Sequence, residues 1–402
     1  MPTIKTIACR KVLNSHVSFT NEFIVELDDG SIGTGASPQG ETISIYEDRK
    51  VSIDAQTIIG TIERDGLLGT SLDQCSFDDY LQLHIPRFGR NNAYGLSEAF
   101  FYASMKNGSI QDFFGKPDVK LEPPRICLNI LNGGWHAYTN PVLSDFSEFM
   151  LVAKSNDILE VVGEHNEIQR VVREKQLGQS KTVVSGNPVN CFPTRDNREV
   201  IEFLLNLVNG LGLSGKYDLM IDASAGDLWV DDAYRLGVTD GGVYSSEEFI
   251  QYWMEMIRHY PLRFLEDPFH EKDFASWQSI ATSQQGCYVI GDNLYSSDEK
   301  RILEGADKKY ATGAVIKPNQ AGTVTAVRRS LEAALRSGQI AITSHRSIST
   351  ESTFLSLLTC MLGAQFIKIG PLTSDYSSVI RLNEIIRLTE KKPWQSRQSS
   401  TR

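Results

Sequence analysis

The second half of the chain is predicted to form a parallel α/β barrel, preceded by a smaller α+β domain. Six short apolar runs there each stop at a polar or charged residue, and the run ends lie 23 to 44 residues apart. Continuous Val/Ile/Leu runs are typical of strands buried on both faces. The spacing leaves room for a return helix after each strand. A barrel of roughly 250 residues plus a second domain also fits the length of 402 residues.

The residue that ends each run is a candidate functional residue. Parallel barrel strands place their C-terminal ends at one mouth, where barrel enzymes carry their active sites. The six run ends are Asp222, Glu266, Asp292, Lys317, His345 and Lys368. Three carboxylates that converge at one mouth suit a hard divalent cation such as Mg²⁺.

The N-terminal part begins with strands and continues with helices. Strands are predicted over residues 4–13 and 17–27, followed by a turn at Asp28-Asp29-Gly30 and a further strand toward Gly35. Helices are predicted between residues 47 and 106. Strands followed by helices favour an α+β domain.

Composition and periodicity predict three segments. Residues 1–120 form the N-terminal domain, residues 125–390 the barrel, and residues 391–402 a flexible tail rich in Ser, Gln and Arg. The charged, proline-containing stretch 116–124 is predicted to be the linker.

Charge and cysteine usage exclude several classes of protein. The net charge of -10 disfavours a general nucleic-acid-binding surface. No run reaches the ~18 apolar residues of a membrane span, and the first residues lack a signal-peptide core. The six cysteines are scattered without a CxxC pair, which predicts free thiols. We therefore expect a cytoplasmic protein that binds neither nucleic acid nor membrane.

Six short strings carry a family resemblance. In chain order they are Ile7-Ala8-Cys9-Arg10-Lys11-Val12-Leu13-Asn14-Ser15, Leu128-Asn129-Ile130-Leu131-Asn132-Gly133-Gly134-Trp135-His136-Ala137, Ser147-Glu148-Phe149-Met150, Glu266-Asp267-Pro268-Phe269, Lys317-Pro318-Asn319-Gln320 and Ser344-His345-Arg346-Ser347. In this order and at barrel spacing, they resemble the motifs of the enolase (phosphopyruvate hydratase) family. The resemblance implies an enolase-type (β/α)8 TIM barrel that begins ββαα, a small phosphorylated carboxylate as substrate, Mg²⁺ and a homodimer.

The resemblance assigns roles to five of the run ends. Asp222, Glu266 and Asp292 match the ligands of the metal, Lys317 matches the general base, and Lys368 matches the lysine that holds the substrate carboxylate. An ammonium group acts as a base at neutral pH only when its pKa is lowered. The alternative is a set of strand-end carboxylates that cap helices or pair with two inward-facing lysines.

Five further residues match substrate-binding or catalytic positions. Arg346 and Ser347 would bind the phosphate, for which a guanidinium fork is well suited. His345 and the loop residue His136 are candidate catalytic residues, and Thr42 stands where the family's mobile loop carries a metal-binding serine. The alternatives are a structural ion pair for Arg346, a packed core histidine for His345 and an exposed loop histidine for His136.

The largest departure from the family pattern lies between Val184 and Pro193. Enolases carry Gly-Asp-Glu-Gly-Gly-Phe-Ala-Pro there, and the glutamate helps to expel the β-hydroxyl group. Counted back from Pro193, Pro188 stands at the glutamate position and Asn187 at the aspartate position. Proline offers no proton, and general acid catalysis typically contributes about 10²–10⁴-fold to a rate. Glu148 matches the other carboxylate near that hydroxyl and remains a candidate acid.

The segment after Gly370 also differs from the family. The family's arginine-bearing Ala-Pro-x-Arg-Ser-Glu-Arg is replaced by Pro371-Leu372-Thr373-Ser374-Asp375-Tyr376-Ser377. The matches to the metal, base, carboxylate and phosphate positions survive, whereas those that handle the β-hydroxyl group do not. This selectivity favours a working enzyme with changed chemistry.

Three hypotheses follow. The first is a divergent Mg²⁺-dependent enzyme that acts through an enediolate on 2-phosphoglycerate, phosphoenolpyruvate or a related phospho- or phosphono-carboxylate. By analogy with carboxyphosphonoenolpyruvate synthase, it would serve specialised metabolism. The second is an ordinary phosphopyruvate hydratase in which Glu148 suffices. The third is a non-catalytic homologue that binds ligand.

Overall fold

The computed structural model describes most of the chain. The described residues are 2–40, 44–47, 53–105, 109–115, 121–134, 144–175, 181–182, 188–189, 194–238, 241–283, 286–372 and 375–390.

Within the described part of the chain, a three-stranded antiparallel sheet and four helices precede the barrel. These elements are β1 (Ile4–Leu13), β2 (Phe19–Leu27), β3 (Ile32–Ala36), α1 (Ala55–Arg64), α2 (Gln74–Phe88), α3 (Arg90–Ser104) and α4 (Ser109–Phe113). The side chain of Asp54 accepts hydrogen bonds from the first amides of α1, and that of Asp73 from the amide of Ser76 in α2. Aspartates therefore set the starts of both helices.

The second strand begins two residues later than predicted. The carbonyl of Asn14 accepts a hydrogen bond from the amide of Val17, and its side chain accepts from the amides of His16 and Ser18. Val17 adopts a φ of 55°, outside the β region. The Asn14 turn therefore takes up the residues before Phe19.

The sheet packs closely against α3. A Cβ atom on Gly33 would lie 2.1 Å from the carbonyl oxygen of Ala99, and one on Gly35 would lie 2.1 Å from the carbonyl oxygen of Gly95. Only glycine fits at these two positions of β3. The sheet and α3 consequently pack as two adjacent layers in close contact.

A closed eight-stranded barrel follows. Its strands are β4 (Arg125–Asn132), β5 (Glu148–Ala153), β8 (Tyr217–Asp222), β12 (Leu262–Glu266), β13 (Tyr288–Gly291), β14 (Gly313–Ile316), β15 (Ile340–Ser344) and β16 (Phe366–Ile369). Its helices are α5 (Ile158–Lys175), α6 (Asn197–Gly210), α7 (Ser246–His259), α8 (Phe274–Ser283), α9 (Glu299–Asp307), α10 (Pro318–Ala321), α11 (Val324–Arg336), α12 (Phe354–Leu362) and α13 (Tyr376–Thr389).

Short elements lie outside the barrel wall. They are β6 (Lys181–Thr182), β7 (Pro188–Val189), a 3-10 helix (Ala225–Leu228), β9 (Trp229–Val230), β10 (Ala233–Arg235) and β11 (Val243–Tyr244). The strands β9, β10 and β11 form a small sheet, and β6 pairs with β7.

One strand of the barrel runs opposite to the others. β5 pairs antiparallel with both β4 and β8, and the remaining neighbours pair in parallel. β4 and β5 are followed by α5 and α6, which confirms the expected ββαα start. Because β5 is reversed, its first residue, Glu148, lies opposite Asp222 at the end of β8. The reversal brings Glu148 to the same mouth as the run ends.

The interior of the barrel is filled by apolar side chains below that mouth. This inner cluster contains Cys127, Met150, Val152, Met220, Phe264, Ile290, Val315, Ile342 and Phe366. A larger apolar core lies between the strands and the surrounding helices. The barrel and the preceding sheet confirm the predicted fold class. Most of the predicted linker 116–124 lies outside the described residues, so the exact domain boundaries stay a prediction.

Among the described residues, we find no helix with the length and apolar character needed to cross a membrane.

Candidate active site

The run ends meet at the mouth of the barrel, as the spacing predicted. Asp222 ends β8 and stands in register with Glu266, which ends β12. Asp292, Lys317 and His345 each directly follow a strand, and Lys368 lies within β16. Parallel pairing of neighbouring strands fixes the position of each strand end along the barrel axis. The side chains at these ends are therefore brought together at one mouth.

The ammonium group of Lys368 lies among three carboxylates. Its Nζ donates hydrogen bonds to Asp222 Oδ2 at 2.8 Å and to both Glu266 oxygens at 2.9 Å. It also forms an ion pair with Glu148 Oε2 at 2.8 Å. Lys368, Asp222 and Glu266 are all buried. Lys368 therefore neutralises part of a concentrated negative charge.

The charges in this cluster shift each other's protonation equilibria. Burial raises the pKa of Glu266 well above its usual value, and the charge of Asp222 adds to that rise. For Lys368, burial lowers the pKa, but Asp222, Glu148 and Glu266 outweigh it and raise the pKa well above the usual value. Lys368 is therefore held as a cation.

Lys317 directly follows β14 and pairs with Asp292. Its Nζ donates a hydrogen bond to Asp292 Oδ2, and its backbone amide donates to Ser297 Oγ at 2.8 Å. The two oxygens of Asp267 accept from the amides of Asp292 at 3.0 Å and Asn293 at 2.8 Å. Lys317 and Asp292 are thus each held by a residue of the loop that follows the preceding strand of the barrel.

Glu148 is oriented by an asparagine. Asn129, buried in β4, donates from Nδ2 to Glu148 Oε1 at 2.8 Å, while the other Glu148 oxygen faces Lys368. The Oδ1 atom of Asn129 is buried without a hydrogen-bond partner among the described residues. Asn129 and Lys368 therefore hold the carboxylate of Glu148 at the mouth.

Arg346 forms a buried ion pair across the mouth. Its Nη1 lies 3.1 Å from Glu47 Oε2, and both side chains are less than one tenth exposed. Glu47 Oε1 also accepts from Gln320 Nε2 at 3.2 Å. Gly40 lies directly against the guanidinium group, since a Cβ atom there would be 1.6 Å from Nη2 of Arg346. These contacts hold the guanidinium group of Arg346 at the mouth.

Four predicted residues remain, of which two are described and two lie outside the described residues. Ser347 is exposed, and its carbonyl accepts from Ser15 Oγ at 3.4 Å. The amide of His345 donates to the carbonyl of Lys368 at 3.4 Å. His136 and Thr42 lie outside the described residues.

Comparison with known proteins agrees with this geometry. Residues 121–397 match the family model described as the enolase C-terminal TIM barrel domain. The chain is also 26% identical to the protein named Enolase from Sulfolobus acidocaldarius, over 94% of this chain and 95% of that protein.

The chain belongs to the enolase family.

The donor set of this enolase-family site suits a hard divalent cation. Asp222, Glu266 and Asp292 are buried carboxylates on three neighbouring strands, and with Glu148 they outnumber the two lysines. Within the described ranges, no group of three or more His, Cys, Asp or Glu side chains surrounds a common metal position. The ammonium group of Lys368 lies between Asp222 and Glu266 instead. Oxygen donors with excess negative charge match the preferences of Mg²⁺.

Sequence reasoning missed Glu47, Asn129 and Gln320 as parts of this enolase-family site. Asn129 and Gln320 fall within quoted family strings, so their positions carried a signal. Glu47 stands 299 positions before its partner Arg346. Nothing in its local sequence indicates this pairing, which depends on tertiary contact.

Proposed function

We propose that this enolase-family protein is a Mg²⁺-dependent enzyme that removes the α-proton of a small phospho- or phosphono-carboxylate. The substrates that fit are 2-phosphoglycerate and close relatives that carry a proton at C2. Phosphoenolpyruvate has no proton there and fits this site as a product or as the substrate of the reverse addition. The observation that carries the proposal is the cluster of Lys317, Lys368 and four carboxylates at the barrel mouth, with Arg346 beside it.

Lys317 is the general base in this proposal. In this step Nζ acts as the neutral amine: its lone pair accepts the proton from C2 to give an ammonium group, and the electron pair of the C–H bond moves toward the substrate carboxylate to give an enediolate. The hydrogen bond with Asp292 and the contact of the backbone amide with Ser297 hold the lysine at the end of β14. A base held in one geometry lowers the entropic cost of proton transfer.

Two cations match the two anionic ends of such a substrate. Lys368, held as a cation by its carboxylate neighbours, faces the substrate carboxylate, and Arg346 faces the phosphate or phosphonate. A guanidinium group binds such oxygens through two parallel hydrogen bonds. The separation of these roles favours a ligand that carries an anion at each end.

Asp222, Glu266 and Asp292 are the residues that would hold Mg²⁺. A bound ion would supply positive charge beside the substrate carboxylate, where negative charge increases during deprotonation. The buried position of all three carboxylates supports this role, because uncompensated carboxylates are costly to bury.

An ordinary phosphopyruvate hydratase is the second candidate. Glu148 lies at the mouth with one oxygen bound by Asn129 and the other near Lys368. In this function Glu148 would protonate the departing β-hydroxyl group, so that water leaves and phosphoenolpyruvate forms. The replacement of the family's second carboxylate by Pro188 favours the first candidate.

Solvent deuterium exchange at C2 of 2-phosphoglycerate tests the proposal. The purified protein with Mg²⁺ in D₂O is followed by NMR for exchange and for phosphoenolpyruvate formation. Exchange without dehydration supports the proposed enzyme, whereas rapid dehydration identifies an ordinary hydratase. If the ligand binds but neither reaction occurs, α-proton removal from this substrate is contradicted.

Two variants assign the proton transfers. Lys317→Met is expected to slow exchange by about 10²–10⁴-fold because the base is lost. Glu148→Gln is expected to leave exchange within about threefold while removing any dehydration, since the proton donor to the departing hydroxyl group is lost and Lys368 keeps its contacts with Asp222 and Glu266. Equal loss of exchange in both variants would contradict these separate roles.

A role in specialised, phosphonate-related metabolism, a homodimeric assembly and a cytoplasmic location belong to the same proposal. They depend on the family resemblance and the composition. Exposed apolar residues on the N-terminal sheet, including Phe19 and Ile32, are consistent with a dimer contact.

A further inference from the structure

A further aspartate, at the start of α13, lies beside a histidine of the candidate site. Asp375 immediately precedes α13, and its Oδ2 lies 3.2 Å from Nδ1 of His345, an ion-pair distance at which the ring nitrogen is not aligned for a hydrogen bond. The Asp375 side chain is 4% exposed and that of His345 is 12% exposed. His345 follows β15, between the strands that position Lys317 and Lys368.

The carboxylate of Asp375 is fixed by its own helix. Its Oδ1 accepts from the amide of Ser377 at 3.0 Å and from Ser377 Oγ at 2.6 Å. Its Oδ2 accepts from Ser378 Oγ at 2.7 Å. Arg381 Nη1 donates to Ser377 Oγ at 2.7 Å. The carboxylate therefore has a single orientation toward His345.

The surroundings of Asp375 determine its protonation state as well as its orientation. Burial raises the pKa of Asp375, but the contacts with His345, Ser377 and Ser378 outweigh burial and lower it below the usual value. Asp375 is consequently an anion at neutral pH. A buried anion at this distance favours a proton on the Nδ1 atom of His345.

We propose that Asp375 is a positioning residue that holds His345 with Nδ1 protonated and Nε2 directed to the ligand. A carboxylate that fixes the tautomer and the ring orientation of a histidine is a recurrent device in enzymes. The inference rests on the proposed function, because it treats His345 as a ligand-facing residue. It also gives a role to a segment in which this chain departs from the family sequence.

The variant Asp375→Asn separates positioning from folding. The amide is nearly isosteric, and its oxygen can still accept from the amide of Ser377 at the start of α13. The nitrogen then takes the place of Oδ2 and donates toward Nδ1 of His345, which moves the proton to Nε2. Asp54→Asn is the matched control, since Asp54 caps α1 in the same way.

Histidine-labelled protein provides a readout that does not depend on turnover. The ¹⁵N NMR signals of His345, assigned by their absence in His345→Gln, are expected to show Nδ1 protonated in the native protein. Asp375→Asn is expected to move the proton to Nε2, and Asp375→Glu to restore Nδ1 protonation. Asp54→Asn should leave these signals unchanged. An unprotonated Nδ1 in the native protein would overturn the inference.

Activity gives the second readout. Asp375→Asn is expected to lower the C2 exchange rate at saturating 2-phosphoglycerate roughly 10- to 100-fold, with KM changed by less than about threefold. A rate equal to that of Asp54→Asn would contradict the positioning role. If the native protein shows no exchange at all, the proposed function fails. The tautomer measurement would still confirm or overturn the Asp375–His345 arrangement.

Discussion

At the scale of single residues, the ion pair between Glu47 and Arg346 affects how the site receives an anion. The two side chains are almost fully buried and lie 3.1 Å apart, and Gln320 binds the same carboxylate. A ligand phosphate and Glu47 present the same kind of charge to the same guanidinium group. Glu47 therefore competes electrostatically with the ligand that Arg346 is proposed to bind.

Replacing Glu47 with glutamine is expected to tighten phosphoenolpyruvate binding by roughly tenfold. The change removes one buried negative charge beside Arg346 while keeping a side chain of the same shape, and charge-assisted hydrogen bonds contribute about 1.5–3 kcal/mol. Isothermal titration calorimetry with Mg²⁺ measures the affinity. Glu63→Gln, an exposed change of equal charge, is the control. Weaker binding would instead mean that Glu47 orients Arg346 for the ligand.

At the scale of secondary-structure elements, α5 carries an unusual buried group. His165 lies on the same buried face as Val161, Ile168 and Val172, and both of its ring nitrogens lack hydrogen-bond partners among the described residues. Burial, with a smaller effect of Arg173, lowers the pKa of His165 to about 4. The ring is therefore neutral in the folded protein at neutral pH.

This depressed pKa predicts acid sensitivity. An unfolded histidine takes up a proton near pH 6.5 but the buried one only near pH 4, so the unfolded state gains protons first as pH falls. The neutral ring makes its full contribution to the free energy of unfolding above pH 6.5. About 3 kcal/mol of that free energy is lost by pH 4.

Urea denaturation between pH 7 and pH 4 measures this loss. His165→Leu should reduce the fall in unfolding free energy by about 3 kcal/mol, whereas His259→Gln, an exposed change, should leave it as in the native protein. Parallel pH profiles for His165→Leu and the native protein would show that His165 is not responsible.

At the scale of the whole molecule, the N-terminal helices are joined to the barrel by buried polar contacts. Asp78 in α2 accepts from Ser97 Oγ at 2.5 Å and from the amide of Thr325, in the first turn of α11, at 2.7 Å. The Ser97 hydroxyl accepts from the amide of Val324 at 2.8 Å. The first two amides of α11 are therefore capped by side chains from α2 and α3.

Aromatic packing joins the same two parts. Phe101 of α3 and Phe354 of α12 have ring centroids 5.3 Å apart, and both belong to the core around the barrel. Removal of the N-terminal helices would expose this surface and leave the start of α11 uncapped. We therefore expect both parts to unfold together.

Asp78→Ala is expected to lower the unfolding free energy of the barrel by about 3 kcal/mol, because buried amides lose a charged acceptor. No tryptophan precedes residue 135, and Trp229, Trp253 and Trp277 lie in the described barrel region, so the change in fluorescence on unfolding reports on the barrel, while circular dichroism reports on the whole chain. Both urea transitions should shift equally. Asp79→Ala, an exposed neighbour, should change stability by less than about 0.5 kcal/mol. An unshifted fluorescence transition would mean that the parts unfold independently.

The sequence by itself determined the barrel and most of the described candidate side chains. Continuous apolar runs identify buried parallel strands, and parallel pairing requires their C-terminal ends to share one mouth. Asp222, Glu266, Asp292, Lys317 and Lys368 could therefore be placed together before any contact was known. Val17 was misplaced in a strand because the hydrogen bonds of the Asn14 turn are a local detail that hydrophobic pattern does not carry.

Only the tertiary structure decided which charges pair. Glu47 meets Arg346 from 299 positions away, and Asp375 reaches His345 only because α13 starts beside the end of β15. Lys368 contacts three carboxylates, and the contact with Glu148 depends on the reversed strand β5. Such pairings are set by the packing of distant elements at ångström precision, whereas sequence periodicity fixes only which face and which end of an element a side chain occupies.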